Sequence, residues 1–186
     1  MSNKTSFQKA LEIVFKLEFS SPSNALHTNP GEIGFTFCGI YQHAHPNWSG
    51  WVTVEESFKR LKDIKKASVE CYNKPELMKK VEEFYETNYW SLYSLDKLNE
   101  TAATEIFVFG INTGMHTAIK KAQKVANTLQ DGKVGPATIK AINSIPESVF
   151  DLKFDDEEIS YYNSLIAKKP SFKVFEKGWH NRAKLV

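Results

Sequence analysis

A mainly α-helical fold is predicted by two observations. Apolar residues recur at helical spacing along most of the chain, and no stretch alternates with period two for long enough to build a substantial sheet. A third feature, a long polar loop after the first helix, interrupts the bundle. In the first helix Thr5 and Gln8 form a capping-box pair, and Phe7, Leu11, Val14, Phe15 and Leu17 supply an apolar face that ends near Glu18. Residues 19–35 contain Pro22, Pro30, Gly31 and Gly34 among Ser, Thr and Asn, which reads as a loop with room for a short hairpin. Its apolar Ala25, Leu26, Ile33 and Phe35 favour an ordered loop, and long ordered loops are usually functional.

Helices then resume. Thr53 and Glu56 make a second capping box ahead of Phe58, Leu61 and Ile64. Pro75 suits the first turn of a helix carrying Leu77, Met78, Val81, Phe84 and Tyr85. Leu98, Ala102, Ile106 and Phe109 belong to a helix buried on most sides. Residues 116–129 are helical until Asp131-Gly132 turns the chain, where Gly supplies the positive φ of the reversal. Gly135-Pro136 restarts it, with Ile139 and Ile142 on an apolar edge. Ile159, Tyr162, Leu165 and Ile166 make a penultimate helix, and Phe172, Phe175 and Trp179 a last short one after Pro170.

Composition narrows the class. A chain of 186 residues can bury one core, or a main lobe with a smaller one, so one compact unit is expected. With 41% hydrophobic and 13% aromatic residues it is too apolar for a disordered protein. Its 24 basic and 22 acidic residues are interspersed, so no basic block marks a nucleic-acid footprint. The first thirty residues start polar and carry Glu12 and Glu18, unlike a signal peptide, and no window reaches membrane-spanning length. Synthesis in the cytoplasm, with no membrane insertion, is the expectation. Cys38 and Cys71 stand outside any C-x-x-C pattern and read as structural thiols.

The chemistry-bearing residues gather around the loop. Glu18 sits at the apolar end of an amphipathic helix with only Lys16 as a nearby cation, and on residues alone it is either a solvated helix-end acid or a general acid. Cleaving a glycosidic bond needs a carboxyl that stays protonated, which an apolar, water-poor setting provides. A second group must then stabilise the oxocarbenium-like centre or activate water. Glu32 is the sole carboxylate between Glu18 and Glu55 and is the candidate base, unless it is a surface loop acid, while the Thr36 hydroxyl could hold the attacking water. Tyr41 and Trp48 follow the loop and are candidates to stack on sugar rings, whereas Phe84, Phe109 and Phe175 read as core. Asn112, ending an apolar helix, is a cleft hydrogen-bond donor or a cap. His27, His43 and His45 with Glu32 could form a catalytic zinc site, although their spacing fits no H-E-x-x-H helix. His116 is placed at a helix start, and it and His180 read as packing or surface residues.

The order of several motifs resembles the muramidases of glycoside hydrolase family 108. In that family a helix ends on a Glu, a polar loop follows, and T-x-x-G-I closes the site; here these are Glu18, residues 19–35, and Thr36-Phe37-Cys38-Gly39-Ile40. Phe84-Tyr85-Glu86-Thr87-Asn88-Tyr89-Trp90 resembles its Tyr-Trp segment, and Phe109-Gly110-Ile111-Asn112-Thr113-Gly114 its central helix ending in Asn-x-Gly. Gln123, the run Asp131-Gly132-Lys133-Val134-Gly135-Pro136-Ala137-Thr138 and the ending Phe175-Glu176-Lys177-Gly178-Trp179-His180-Asn181-Arg182 are similar to the associated predicted peptidoglycan-binding domain. One segment departs: Glu18-Phe19-Ser20-Ser21 stands where the family usually reads Glu-Gly-Gly-Tyr, and the loop is longer.

The resemblance implies a lysozyme-like helical fold with residues 1–95 as catalytic half and 96–186 as peptidoglycan-domain half, packed as one unit. It implies hydrolysis of the β-1,4 bond between N-acetylmuramic acid and N-acetylglucosamine in a peptidoglycan strand, with Glu18 as general acid and no metal or other cofactor. Such a protein resembles an endolysin or prophage lysin that reaches the wall through a holin or another secretion route. Two alternatives are a non-catalytic peptidoglycan-binding or secretion-accessory protein, which the altered segment after Glu18 favours, and a zinc-dependent wall amidase.

Overall fold

The computed structural model describes residues 4–29 and 31–185; Met1 to Asn3, Pro30 and Val186 lie outside the described residues. Among them the chain forms nine α-helices and one small sheet, so the mainly helical reading holds. The helices are α1 (Ser6–Glu18), α2 (Trp51–Leu61), α3 (Ile64–Tyr72), α4 (Pro75–Tyr85), α5 (Glu100–Thr113), α6 (Met115–Val125), α7 (Pro136–Asn143), α8 (Glu147–Lys168) and α9 (Glu176–Arg182). The loop after α1 contains β1 (Leu26–His27), which pairs antiparallel with β2 (Thr36–Phe37), and β2 pairs with β3 (Ile40–Tyr41). The short hairpin expected in the loop is therefore present.

Local chemistry explains where the helices begin and end. The Thr5–Gln8 capping box forms reciprocally: Thr5 N donates to Gln8 Oε1 at 3.1 Å and Gln8 N to Thr5 Oγ1 at 3.2 Å. The second capping box does not form. Helix α2 starts at Trp51 after Gly50, because Trp51 is buried and its indole N–H donates to the His45 carbonyl at 2.7 Å, which draws Thr53 inside the helix. Helix α6 stops at Val125, short of residue 129, since Asn127 takes the left-handed conformation that ends helices (φ +50°). Helix α8 is longer than its apolar pattern suggested. Phe150 and Phe154 anchor its first half, which the acidic run Asp155-Asp156-Glu157-Glu158 hides in the sequence. Phe175, expected in the core, is 49% exposed, whereas Phe84 and Phe109 are buried.

The chain divides into two compact units, residues 14–86 and residues 1–13 with 87–186. In the second of these, residues 102–110 of α5 are buried on every side, and Phe109 meets Phe154, Tyr161 and Tyr162 edge-on. Phe7 of α1 packs on Trp90 and Phe107. A cluster of carboxyls lies against α5. Burial, the charge of Glu158 and a hydrogen bond shared with Asp151 push the Glu105 carboxyl up to about 10. Burial and the charge of Asp155 push Glu158 up to about 8, against the pull of Arg182.

The Asp-Gly turn of this unit is built on one side chain. Gln123, fully buried, donates through Nε2 to Asp131 Oδ1 at 2.7 Å, the Lys133 carbonyl at 3.0 Å and Thr138 Oγ1 at 3.2 Å. Its Oε1 accepts from Gly132 N at 2.8 Å. Gly132 has φ +73° and is packed so closely on the His116 ring, at the start of α6, that no Cβ would fit. The motif shared by Gln123, Asp131, Gly132 and Thr138 is thus an internal knot holding the α6–α7 connection. Replacing Gln123 with Ala leaves the Gly132 amide unsatisfied in the interior, and a loss of about 1–3 kcal/mol in denaturant unfolding is expected; a change within a few tenths would refute this role.

Candidate active-site cleft

The 14–86 unit builds its cleft from the end of α1 and the loop that follows. Phe15 reaches Tyr85, and Phe19, one turn on, meets both Phe15 and Tyr72. These contacts hold the end of α1 and bring Glu18 to the surface. Beyond it, Pro22–Asn24 forms one 3₁₀ turn, which α3 secures through the buried Ser68: its hydroxyl donates to the Pro22 carbonyl and accepts from Leu26 N at 2.9 Å. A single serine thus fixes both sides of the turn.

The β2–β3 hairpin packs its turn beside the end of α1. Phe37 lies opposite Ile40, leaving Cys38 and Gly39 as a two-residue connection, and both have positive φ, +48° and +82°, as the I′-type hairpin turn requires. For Cys38 this conformation is sterically unfavourable. It is held by Cys38 N donating to the Ala25 carbonyl at 2.8 Å and by the Tyr85 hydroxyl donating to the Cys38 carbonyl at 2.8 Å. Gly39 faces Tyr85 and Glu18: a Cβ there would come 2.5 Å from Tyr85 Oη and 4.0 Å from Glu18 Cγ. The T-x-x-G-I segment and Glu18, twenty positions apart, therefore meet in space.

Glu18 opens into a cleft of about 430 Å³, lined also by Phe19, Ser20, Ser23, Asn24, Leu26, His27, Thr28, Ile64 and Lys65. The acid itself is exposed, so the carboxyl lies on a wet, polar floor and not in the apolar surroundings its sequence neighbours suggested. The His27 ring reaches the Asn24 carbonyl from Nδ1 at 3.2 Å. Of the lining residues only Glu18 and His27 were singled out by sequence reasoning, and His27 only as a metal ligand. Ser20, Ser23, Asn24 and Thr28 carry a signal after the fact, being the polar residues of an ordered loop. Lys65 and Ile64 arrive from α3 and carry none.

The other candidates occupy different surroundings. Glu32 is exposed and accepts from Asn29 Nδ2 at 2.8 Å. Thr36, on β2, is buried at 7% exposure. The Tyr41 hydroxyl accepts from Ile33 N at 3.1 Å and so ties the loop to β3. Trp48 is half-buried among Phe37, Trp51 and Phe84 and donates to the Lys80 carbonyl at 3.4 Å. None of these four lines the Glu18 cleft. Asn112 belongs to the other unit, where it donates to the Tyr162 hydroxyl at 2.9 Å, and the cap of α5 is Gly114.

The histidine cluster of the zinc alternative does not assemble: His43 lies by Tyr41, His45 packs edge-on against Phe84, and the carboxylate or histidine group able to hold a metal among the described residues is instead Glu105, Asp151 and Asp155. Cys38 and Cys71 are free and buried, and burial raises the Cys38 thiol far above its usual range.

Residues 27–114 match the family Glycosyl hydrolase 108, and residues 117–184 match the family Predicted Peptidoglycan domain. The two matches together support a peptidoglycan hydrolase of the glycoside hydrolase type. In fold it is similar to SagA of Brucella abortus, with a TM-score of 0.63 and 24% identity over 95% of this chain and 88% of that one. No curated protein matches its sequence. The hydrolase match starts at His27, so Glu18 precedes it, while Gly39 and Tyr85, which abut Glu18 or its turn, fall within it. No helix among the described residues is long and apolar enough to cross a membrane.

Gly39→Ala tests this packing. The methyl must displace the Tyr85 hydroxyl and adopt a strained φ, so a drop of several degrees in the thermal transition and loss of wall hydrolysis are expected together. Unaltered values for both would show that the turn does not shape the cleft.

Proposed function

We propose that this protein is a muramidase that cleaves the β-1,4 bond between N-acetylmuramic acid and N-acetylglucosamine, with Glu18 as the general acid. The observation that carries the reading is the position of Glu18: at the end of α1, in a polar cleft, against the glycine turn of the T-x-x-G-I segment. In the reaction the Glu18 carboxyl gives its proton to the glycosidic oxygen as the bond to the anomeric carbon breaks, and water adds to that carbon. Since Glu18 is exposed, the water-poor surroundings that favour a protonated carboxyl would come from the strand itself as it fills the cleft. Asn24, Ser20 and Lys65 offer donors for the sugar hydroxyl and acetamido groups along the same cleft.

Glu32 stays in the reading as the base and Thr36 as the holder of the attacking water. Neither lines the cleft, so Glu32 requires the loop between β1 and β2 to move toward it when the glycan binds, and Thr36, buried on β2, requires a shift of the sheet itself. The biological setting that fits is an endolysin, delivered to the wall by a holin or another export route.

Incubating purified peptidoglycan with the wild type and with Glu18→Gln, followed by mass spectrometry of the new ends, tests the proposal. New reducing ends on N-acetylmuramic acid from the wild type, and a loss of 10²-fold or more, about 3 kcal/mol of transition-state stabilisation, in the variant are expected. New amino termini would assign the activity to an amidase, and binding without products from either protein would favour the non-catalytic alternative. Glu32→Gln should lower kcat with little change in KM if Glu32 is the base.

A further inference from the structure

The cluster of carboxyls against α5 lies in the unit that carries the match to the peptidoglycan domain, and the proposed hydrolysis does not use it. Glu105 projects from the buried face of α5, and Asp151 and Asp155 stand one turn apart on α8, with Glu158 one turn further. These are interior positions of a helix pair, where apolar residues would be expected; Glu105 is 1% exposed and Glu158 3%. One carboxylate oxygen each from Glu105, Asp151 and Asp155 lies within 4.8 Å of the other two. Glu105 Oε1 and Asp155 Oδ1 are buried with no hydrogen-bond partner. An acceptor left unsatisfied in the interior costs about 1–3 kcal/mol, more if charged. Two cations face the cluster, Lys184 toward Asp155 and Arg182 toward Glu158. Four carboxyls face these two cations, so the cluster is balanced only by retained protons or by a further cation, and the crowding is greatest where Glu105 meets Asp151 and Asp155.

We propose that Glu105, Asp151 and Asp155 form a binding site for one calcium ion. The donor set is all carboxylate oxygen, which selects hard cations over zinc or copper. The three oxygens lie within 4.8 Å of one another, close enough for one cation with carboxylate ligands at about 2.4 Å to bridge them. Calcium is chosen over magnesium because it accepts irregular, carboxylate-rich shells, whereas magnesium demands near-ideal octahedral geometry and gives up its water reluctantly. Asp151 also lines an open cavity of about 450 Å³ together with Thr101, Thr104, Glu147 and Ser148, which gives the ion a route from solvent and room for the water ligands that complete its shell. The unpartnered Glu105 and Asp155 oxygens would find in the ion the partner that protein atoms do not supply. Bound there, calcium would link α5 to α8, and so brace the unit independently of the hydrolytic reaction.

Titration calorimetry of the full chain at pH 8, after removal of divalent ions with a chelator, tests this with CaCl₂ and MgCl₂ as the probes. The wild type should bind one Ca²⁺ and show a higher thermal transition in millimolar CaCl₂. Glu105→Gln should fold in chelator, since it keeps the shape and removes a buried acid, yet bind calcium at least tenfold more weakly. Asp155→Asn, at a half-buried position, should do the same, and it decides the matter if Glu105→Gln does not fold. No calcium binding by the wild type, or undiminished binding in the folded variants, would overturn the proposal; tighter binding of magnesium than calcium would overturn the choice of ion.

Discussion

The hydroxyl of Tyr85 donates to the Cys38 carbonyl at 2.8 Å in a place from which water is excluded, and the geometry around Glu18 follows from that bond. A two-residue turn with Cys38 in the left-handed region is unfavourable on its own. Burial strengthens the hydrogen bond that keeps it there, because the unpaired carbonyl would have no water to turn to. With the turn in place, Gly39 presents a bare backbone to Glu18, and the end of α1 approaches the hairpin. Tyr85 itself is positioned by Phe15, from the same helix that carries Glu18. The acid and the turn beside it are thus located by one aromatic contact and one hydrogen bond.

The unit of residues 1–13 and 87–186 handles its buried polar groups in two opposite ways. In the Asp-Gly connection every polar atom of Gln123 is used, and the result is a rigid link between α6 and α7. Between α5 and α8, carboxyl oxygens are buried without partners. A fully satisfied network stabilises; an unsatisfied one marks a place where a proton or an ion completes the structure. The difference separates residues kept for the fold from residues open to a ligand, although both sets lie in the same unit.

Much of the fold was legible in the sequence because its signals are local. The Thr5–Gln8 capping box, Pro75 and Pro136 at helix starts, and the Gly-rich reversals depend on neighbours a few positions away, and all appear as expected. Where expectation failed, a distant contact had overridden a local preference. Burial of Trp51 drew α2 past its capping box, and Phe150 with Phe154 anchored α8 through an acidic run that looked like its solvated flank. Phe175 satisfied the apolar pattern of the tail but lies where the unit ends, so it keeps half its surface in water.

For the site, sequence by itself determined the type of acid, its place at the end of a helix and the ordered loop beyond it, since all three are carried by consecutive residues. It also carried the family pattern, now matched over residues 27–114 and 117–184. Only the tertiary structure decided what surrounds that acid. Ser68 and Lys65 come from α3 and Tyr85 from α4, and their meeting with Glu18, His27 and Gly39 depends on helix packing that no spacing along the chain records. The same holds for Glu105. Its neighbours along α5 are mostly apolar, and its acidic companions lie on α8, more than forty residues away, so only folding sets the carboxyls face to face.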